Sequence, residues 1–207
     1  MREPVPDSTA GVDPTQARDV ARWRKAERER LIAARLALPA EIRGAQAAAM
    51  ASDLDRLVPG NPDTIVSVYW PIRAEPDLRP WMRSRWERGT RVALPVALAL
   101  GQPLVFREWG PDAVMARGLW QIPIPADGAV VVPTVVIAPL VGFDAGCYRL
   151  GYGGGFFDRT LAGMAAKPLV IGVGFADAAI RTILPQPHDI PMDWIVTGAM
   201  PPQRRSA

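Results

Sequence analysis

"PTVVIAPLVGFDAGCYRLGYGGGFFDRTL", residues 133–161, decides between a layered α/β fold and the alternatives. Its first part, "PTVVIAPLVGF", is a near-continuous run of β-branched and aliphatic residues, which suits a strand buried on both faces. Its last part, from Phe156 to about Ala166, reads as a helix. Between them, after the turn "DAGCYRL", four glycines occupy the five positions from 151 to 155. Ordering so many glycines costs backbone entropy, so something requires bare backbone there. A strand, a glycine turn and a helix in that order put the turn outside the carboxyl end of a strand. That is where open α/β sheets hold their ligands.

Two readings of the turn stay open on residue types alone. In one, backbone N–H groups cradle phosphate oxygens, the helix N-terminus adds partial positive charge, and Arg149 and Arg159 supply full charges. Asp158, in the first helical turn, then either caps the helix or holds a magnesium ion bridging the phosphates. In the other, the glycines only permit a tight strand-to-helix crossover. Neither common phosphate motif is matched. Gly155 is followed by Phe156 rather than by lysine, and Phe156 also stands where a dinucleotide fingerprint needs its last glycine.

The same pattern extends outward. An arginine-rich helix is expected over residues 14–38, with Val20, Trp23, Ala26, Glu27, Arg30, Leu31 and Ala34 forming a mixed stripe. Pro39 stops it, and residues 39–58 read as a second helix closed by "PGNPD". A third covers "AEPDLRPWMRSRWERG", ending at Gly89. Strand-like runs lie at 64–71, 90–95, 103–109, 133–143, 167–175 and 193–198. Helices alternating with apolar strands predict one open, mainly parallel sheet with helices on both faces. The expected domain spans residues 14–200, between a flexible N-terminal tail, 1–13, and a C-terminal tail, 201–207.

Composition narrows the chemistry. A chain of 207 residues, 49% hydrophobic and 22% charged, suits one soluble domain with a full core. The net charge of +3, carried almost wholly by arginine, is compatible with anionic ligands without choosing among them. A single cysteine, Cys147, excludes an intrachain disulfide and a cysteine-built zinc site. A single histidine, His188, removes most histidine-rich metal schemes. No Gly-x-Ser-x-Gly elbow supports a serine hydrolase. The N-terminal stretch lacks the apolar core of a signal peptide, and residues 128–143 are too short and proline-broken to span a bilayer, so a cytoplasmic protein is expected.

Residues 139–162, "PLVGFDAGCYRLGYGGGFFDRTLA", closely resemble the signature of the 5-formyltetrahydrofolate cyclo-ligase family, also called 5,10-methenyltetrahydrofolate synthetases. The resemblance runs over roughly residues 20–200, through "VYWPIRAEPDLRP", "VALPV", "LVFREW", "GLWQIPIP" and "LPQPHDIPMDWIVTG". It implies a fold related to CoA-transferase and sugar-phosphate isomerase architectures. The implied reaction is ATP- and magnesium-dependent ring closure of 5-formyltetrahydrofolate to 5,10-methenyltetrahydrofolate, with release of ADP and phosphate.

The resemblance also implies site residues. Arg149, Leu150, Gly151, Tyr152, Gly153, Gly154, Gly155, Phe156 and Phe157 match the stretch that wraps ATP phosphates, and Arg24 and Arg28 match basic nucleotide contacts on the first helix. Arg149 and Asp158 are the catalytic candidates. Asp158 and Asp189 match magnesium ligands, with Asp193 in reserve. Glu75, Tyr152 and Phe156 match folate contacts; Trp70 either stacks on a substrate ring or is a core tryptophan. The chain departs from the family pattern at Phe156, usually tyrosine, and at Val96, where lysine is usual. On the first helix arginine replaces a lysine, unless Lys25 serves out of register, and Glu27 replaces a leucine. The expected partners are a reduced folate and ATP, without nucleic acid or membrane, in a monomer or weak homodimer. The alternatives are a divergent member acting on another folate-like or phosphorylated ligand, and a non-enzymatic RNA-associated protein.

Overall fold

Pro39 divides the first forty-odd residues into two helices, because its ring fixes φ and cannot continue the hydrogen-bond ladder of the helix before it. The computed structural model describes residues 14–206 and shows α1 at Pro14–Ala37 and α2 at Ala40–Leu57, with Pro39 at the N-cap of α2. The expected N-terminal tail lies outside the described residues. Among the described residues, twelve strands, two further α-helices and two single-turn 3-10 helices follow. The strands and α-helices are β1 Ile65–Ser67, α3 Arg79–Glu87, β2 Arg91–Val96, β3 Val105–Trp109, β4 Met115–Arg117, β5 Pro123–Pro125 and β6 Val130–Val131. Then come β7 Val135–Pro139, β8 Gly142–Phe143, β9 Arg149–Leu150, α4 Phe156–Gly163, β10 Leu169–Val173, β11 Trp194–Val196 and β12 Gln203–Arg204.

Eight strands form one sheet in the order β12-β11-β10-β7-β1-β2-β3-β6. Its central pairings, β11 to β10, β10 to β7, β7 to β1 and β1 to β2, are all parallel. Alternation along these strands sorts side chains between two layers. Val66, Val92, Leu94, Val135, Ile137, Ile171, Val173 and Val196 face Met50 and Leu54 of α2 and Trp81 and Met82 of α3. Ala93, Val136, Ala138, Val170 and Ile195 face the other way, against Leu161 of α4. Helices therefore cover both faces, as the apolar runs predict.

The edges differ from the expectation. The run at 103–109 returns antiparallel to β2, with Val92 opposite Trp109 and Val96 opposite Val105, because a short loop cannot make a parallel crossover. At the other edge, residues expected in a C-terminal tail pair antiparallel with β11, placing Trp194 opposite Arg204. The Arg204 guanidinium lies 5.7 Å from the Trp194 ring, which holds this short strand in place.

The long apolar run at 133–143 is two strands rather than one. At Val141 the chain leaves the main sheet and bonds Leu150 O at 2.8 Å, opening the small β8–β9 hairpin. Buried Asp144 shapes its turn: Oδ1 accepts from Gly146 N and Tyr148 N at 3.0 and 3.2 Å, and Oδ2 accepts from Ile183 N at 3.0 Å. That hairpin delivers the glycine turn to the start of α4.

Helix α1 crosses the carboxyl edge of the sheet. Leu31 packs with Val141, Leu150 and Ile183. Its inward face is not the expected mixed stripe: Ala26, Arg30 and Ala34 are exposed, while Arg24 and Arg28 are half-buried and Arg35 is buried. Those guanidiniums find backbone carbonyls of the neighbouring loops and turns, which an apolar face would leave unsatisfied.

Candidate active site

The glycine turn sits at this carboxyl edge with its backbone donors uncovered. Among the described residues, the N–H groups of Gly151, Tyr152, Gly153 and Gly154 have no hydrogen-bond partner, and residues 152–154 are exposed. Gly153 has φ +95° and Gly155, at the N-cap of α4, has φ +63°, conformations that L side chains rarely adopt. Free N–H groups running into a helix N-terminus make an anion cradle.

Arginines surround the cradle unequally. Arg28 Nε donates to Gly151 O at 2.6 Å, and its guanidinium carbon lies 3.3 Å from where a Cβ on Gly153 would stand. Burial, and next the Arg24 cation, hold the Arg28 pKa below its usual value. Arg159 lies over the Phe156 ring at 5.5 Å and donates to Gly154 O. Arg149 is buried beneath the turn, its guanidinium 5.0 Å from the Phe157 ring, and its Nε has no partner. Arg24 does not face the cradle. It donates to Ile183 O at 2.9 Å, to Leu184 O at 2.8 Å and bidentately to Asp189. Lys25 is exposed.

The second part of the site follows β1. The turn after Pro71 is closed by Glu75 itself: Ile72 N donates to Glu75 Oε2 at 2.9 Å, and Glu75 N to Ile72 O at 2.9 Å. Two successive non-glycine residues in this turn, Arg73 and Ala74, have φ of +46° and +59°. Glu75 is 6% exposed and its Oε1 has no partner. Burial pushes its pKa up to about 7, against the opposing pull of the Ile72 N–H, Arg35 and the Tyr152 hydroxyl. Tyr152 links the two parts. Its hydroxyl accepts from Arg35 Nη2, and its ring lies 5.7 Å from Arg35 and 5.8 Å from Arg73. Burial, and next the Glu75 charge, raise its pKa.

The profile of the 5-formyltetrahydrofolate cyclo-ligase family matches residues 20–198, through every element just described. The chain belongs to that family. It is 34% identical to the 5-formyltetrahydrofolate cyclo-ligase of Mycolicibacterium smegmatis over 180 residues, 82% of this chain and 91% of that one. To the enzyme of the same name from Escherichia coli K12 it is 33% identical over 140 residues, 64% of this chain and 76% of that one. The solution structure of Aquifex aeolicus 5,10-methenyltetrahydrofolate synthetase superposes with a TM-score of 0.74 at 27% identity, covering 89% of this chain and 95% of that one. The synthetase from Mycoplasma pneumoniae shares the fold, with a TM-score of 0.69 at 19% identity over 84% of this chain and 98% of that one.

Family membership puts weight on the expected metal ligands, and their bonding tests it. Asp158 Oδ2 accepts from Arg149 at 3.0 Å and Oδ1 from Ile190 N at 3.2 Å, so it ties the 186–190 loop to α4 rather than capping the helix. Asp189 is engaged by Arg24 on both oxygens and by Gln186 N at 2.6 Å. Burial raises its pKa, but Arg24 and the Gln186 N–H outweigh that and hold the carboxylate low. Among the described residues no group of three acidic, histidine or cysteine side chains gathers as a metal site. Each of the two carboxylates is thus paired with an arginine, Asp158 with Arg149 and Asp189 with Arg24. Asp193 lies at the opposite edge, its Oδ2 accepting from Val170 N at 2.8 Å at the start of β10.

Two further placements bear on the expected substrate contacts. Trp70 is half-buried, packs against the core and has Arg79 5.3 Å over its ring. Phe156, the first residue of α4, meets Trp120 edge-on at 5.6 Å. Trp120 is 63% exposed at φ +55° in the turn between β4 and β5, and together the rings form an aromatic wall beside the cradle. Neither Trp120 nor Arg35 is singled out by the sequence. Trp120 lies in "GLWQIPIP", a stretch that carries the family resemblance without marking any one residue. Arg35 is one arginine among many, without a carboxylate neighbour in sequence to mark it.

Proposed function

We propose that this protein closes the ring of 5-formyltetrahydrofolate to 5,10-methenyltetrahydrofolate, the two compounds its relatives are named for, and that it does so at the expense of ATP. The observation that carries this is the row of unpartnered N–H groups in the glycine turn, flanked by Arg28 and Arg159 and set beside a buried carboxylate with one free oxygen. The turn binds the triphosphate; Glu75 Oε1 accepts from the paired N–H donors of the pterin. Those two ligands meet across Tyr152.

The chemistry asks mainly for positioning and charge neutralisation. The formyl oxygen attacks the terminal phosphorus and ADP leaves, which turns a poor leaving group into phosphate. N10 then attacks the formyl carbon, a C–N bond forms, the C–O bond breaks with loss of phosphate, and the N10 proton is released. The turn's N–H groups and Arg28 hold the phosphoryl oxygens. Buried Arg149, fixed by Asp158, supplies positive charge beneath them. Trp120 and Phe156 keep water from the activated carbon, which would otherwise be hydrolysed. Since Asp158 and Asp189 are each held by arginine, we assign the magnesium dependence to the nucleotide as it arrives, not to a protein site.

The test is direct. Protein, ATP, magnesium and 5-formyltetrahydrofolate are mixed and the methenyl product is followed by absorbance. Product that forms only with ATP present supports the reading; none, or equal rates without ATP, overturns it.

A further inference from the structure

Arg35, in the last turn of α1, is 7% exposed, yet all three of its hydrogen bonds go to neutral oxygens. A buried guanidinium that hydrogen-bonds no carboxylate is costly; the Glu75 charge acts on Arg35 from nearby without bonding it, and a leucine would fill that space without the desolvation. Its acceptors explain its place. Nε donates to Arg73 O at 3.0 Å, Nη1 to Leu140 O at 3.4 Å, and Nη2 to the Tyr152 hydroxyl. Arg73 belongs to the turn that carries Glu75, Tyr152 belongs to the glycine turn, and Leu140 directly follows β7. Arg28, two turns earlier on the same helix, holds Gly151 O. Helix α1 therefore grips the glycine turn at two points and the Glu75 turn at one.

The geometry points to Arg35 as a positioning residue that couples the nucleotide turn to the folate turn, so that each ligand raises the affinity for the other. The coupling rests on the proposed pair of ligands. When a triphosphate orders the glycine turn it fixes Tyr152, and with it the guanidinium that also holds the Arg73 carbonyl. Arg73 and Ala74 occupy left-handed backbone, so this turn keeps its shape only while its surroundings hold it. Fixing it holds the Ile72 N–H on Glu75 Oε2 and keeps the buried, unpartnered Oε1 in place for the proposed pterin contact. Reciprocity follows from linkage: the factor by which nucleotide tightens folate binding equals the converse factor.

The experiment measures binding of 5-formyltetrahydrofolate to the full chain by calorimetry, with and without a β,γ-imido analogue of ATP, which cannot transfer its phosphoryl group. Wild-type protein is expected to bind the folate about fivefold tighter or more with the analogue present, the lower end of ordinary couplings. Arg35→Gln is expected to shrink that factor to within about twofold, below the lower end of such couplings. Tyr152→Phe, which keeps the ring and removes the acceptor, should do the same while unfolding near the wild-type temperature. If Arg35→Gln fails to fold, Tyr152→Phe decides by itself. Wild type that binds both probes without mutual enhancement, or variants that keep the enhancement, overturn the coupling alone. Wild type that binds neither probe overturns the folate reading as well.

Discussion

Glu75→Gln is expected to stabilise the folded chain at pH 8 while weakening its hold on substrate. The carboxylate is 6% exposed, with one oxygen unpartnered, and burial lifts its pKa from the usual 4.5 to about 7. The folded pKa lies above the unfolded one, so the folded chain binds the proton more tightly. Ionised Glu75 therefore costs nothing below pH 4.5, costs progressively more between pH 4.5 and 7, and reaches a plateau above pH 7. A rise of that size corresponds to about 3 kcal/mol on the plateau. Glutamine keeps an oxygen for the Ile72 N–H and never ionises, so it escapes the charge cost; any penalty for its amide is independent of pH. Urea denaturation of both proteins from pH 5 to 8.5 should show the variant gaining on wild type as pH rises, approaching about 3 kcal/mol. For a domain of this size that is roughly 6–12 °C in Tm. Substrate affinity should move the other way. With Oε2 held by the Ile72 N–H, Oε1 is the acceptor for the donor pair and glutamine puts an NH2 group there, so the variant should lose about 1.5–3 kcal/mol at pH 8, and wild-type affinity should fall below pH 7. Parallel stability curves for the two proteins across this pH range would refute the burial of an ionisable Glu75.

Gly153→Ala forces a side chain into φ +95° and against Arg28, so calorimetry should show loss of ATP-analogue binding at a stability cost of about 1–3 kcal/mol; wild-type binding would mean the turn is only a crossover. Asp189→Asn, which leaves Arg24 short of its charge partner, should lower metal-free stability by up to about 3–5 kcal/mol without changing the magnesium needed for half-maximal rate. A raised magnesium requirement with unchanged metal-free stability would restore the ligand role. Trp120→Ala removes an aromatic pair of about 0.5–1.5 kcal/mol and opens the wall, so ATP should be hydrolysed without matching methenyl product. Strict one-to-one coupling in that variant would remove Trp120 from water exclusion.

Much of this was readable from residues 133–161 and their surroundings. Apolar runs of strand length between helices require a two-faced sheet, because such strands have no polar face to give to water. A dense glycine run between strand and helix requires the carboxyl edge, and the family signature lies on those same residues. Pro39 marks a real boundary, since proline cannot continue the ladder of the helix before it. What sequence order could not decide is which group meets which through space. The direction of the edge strands depends on pairing partners far along the chain, as where Arg204 meets Trp194. Asp158 and Asp189 carry the residue types of metal ligands, and only their distances to Arg149 and Arg24 show each already neutralised. Arg35 is the clearest case. Its acceptors are two carbonyls and a hydroxyl from three separate segments, and a backbone carbonyl has no letter in the sequence. Only the folded chain, by bringing those oxygens within reach of one guanidinium, makes that arginine different from its neighbours on the helix.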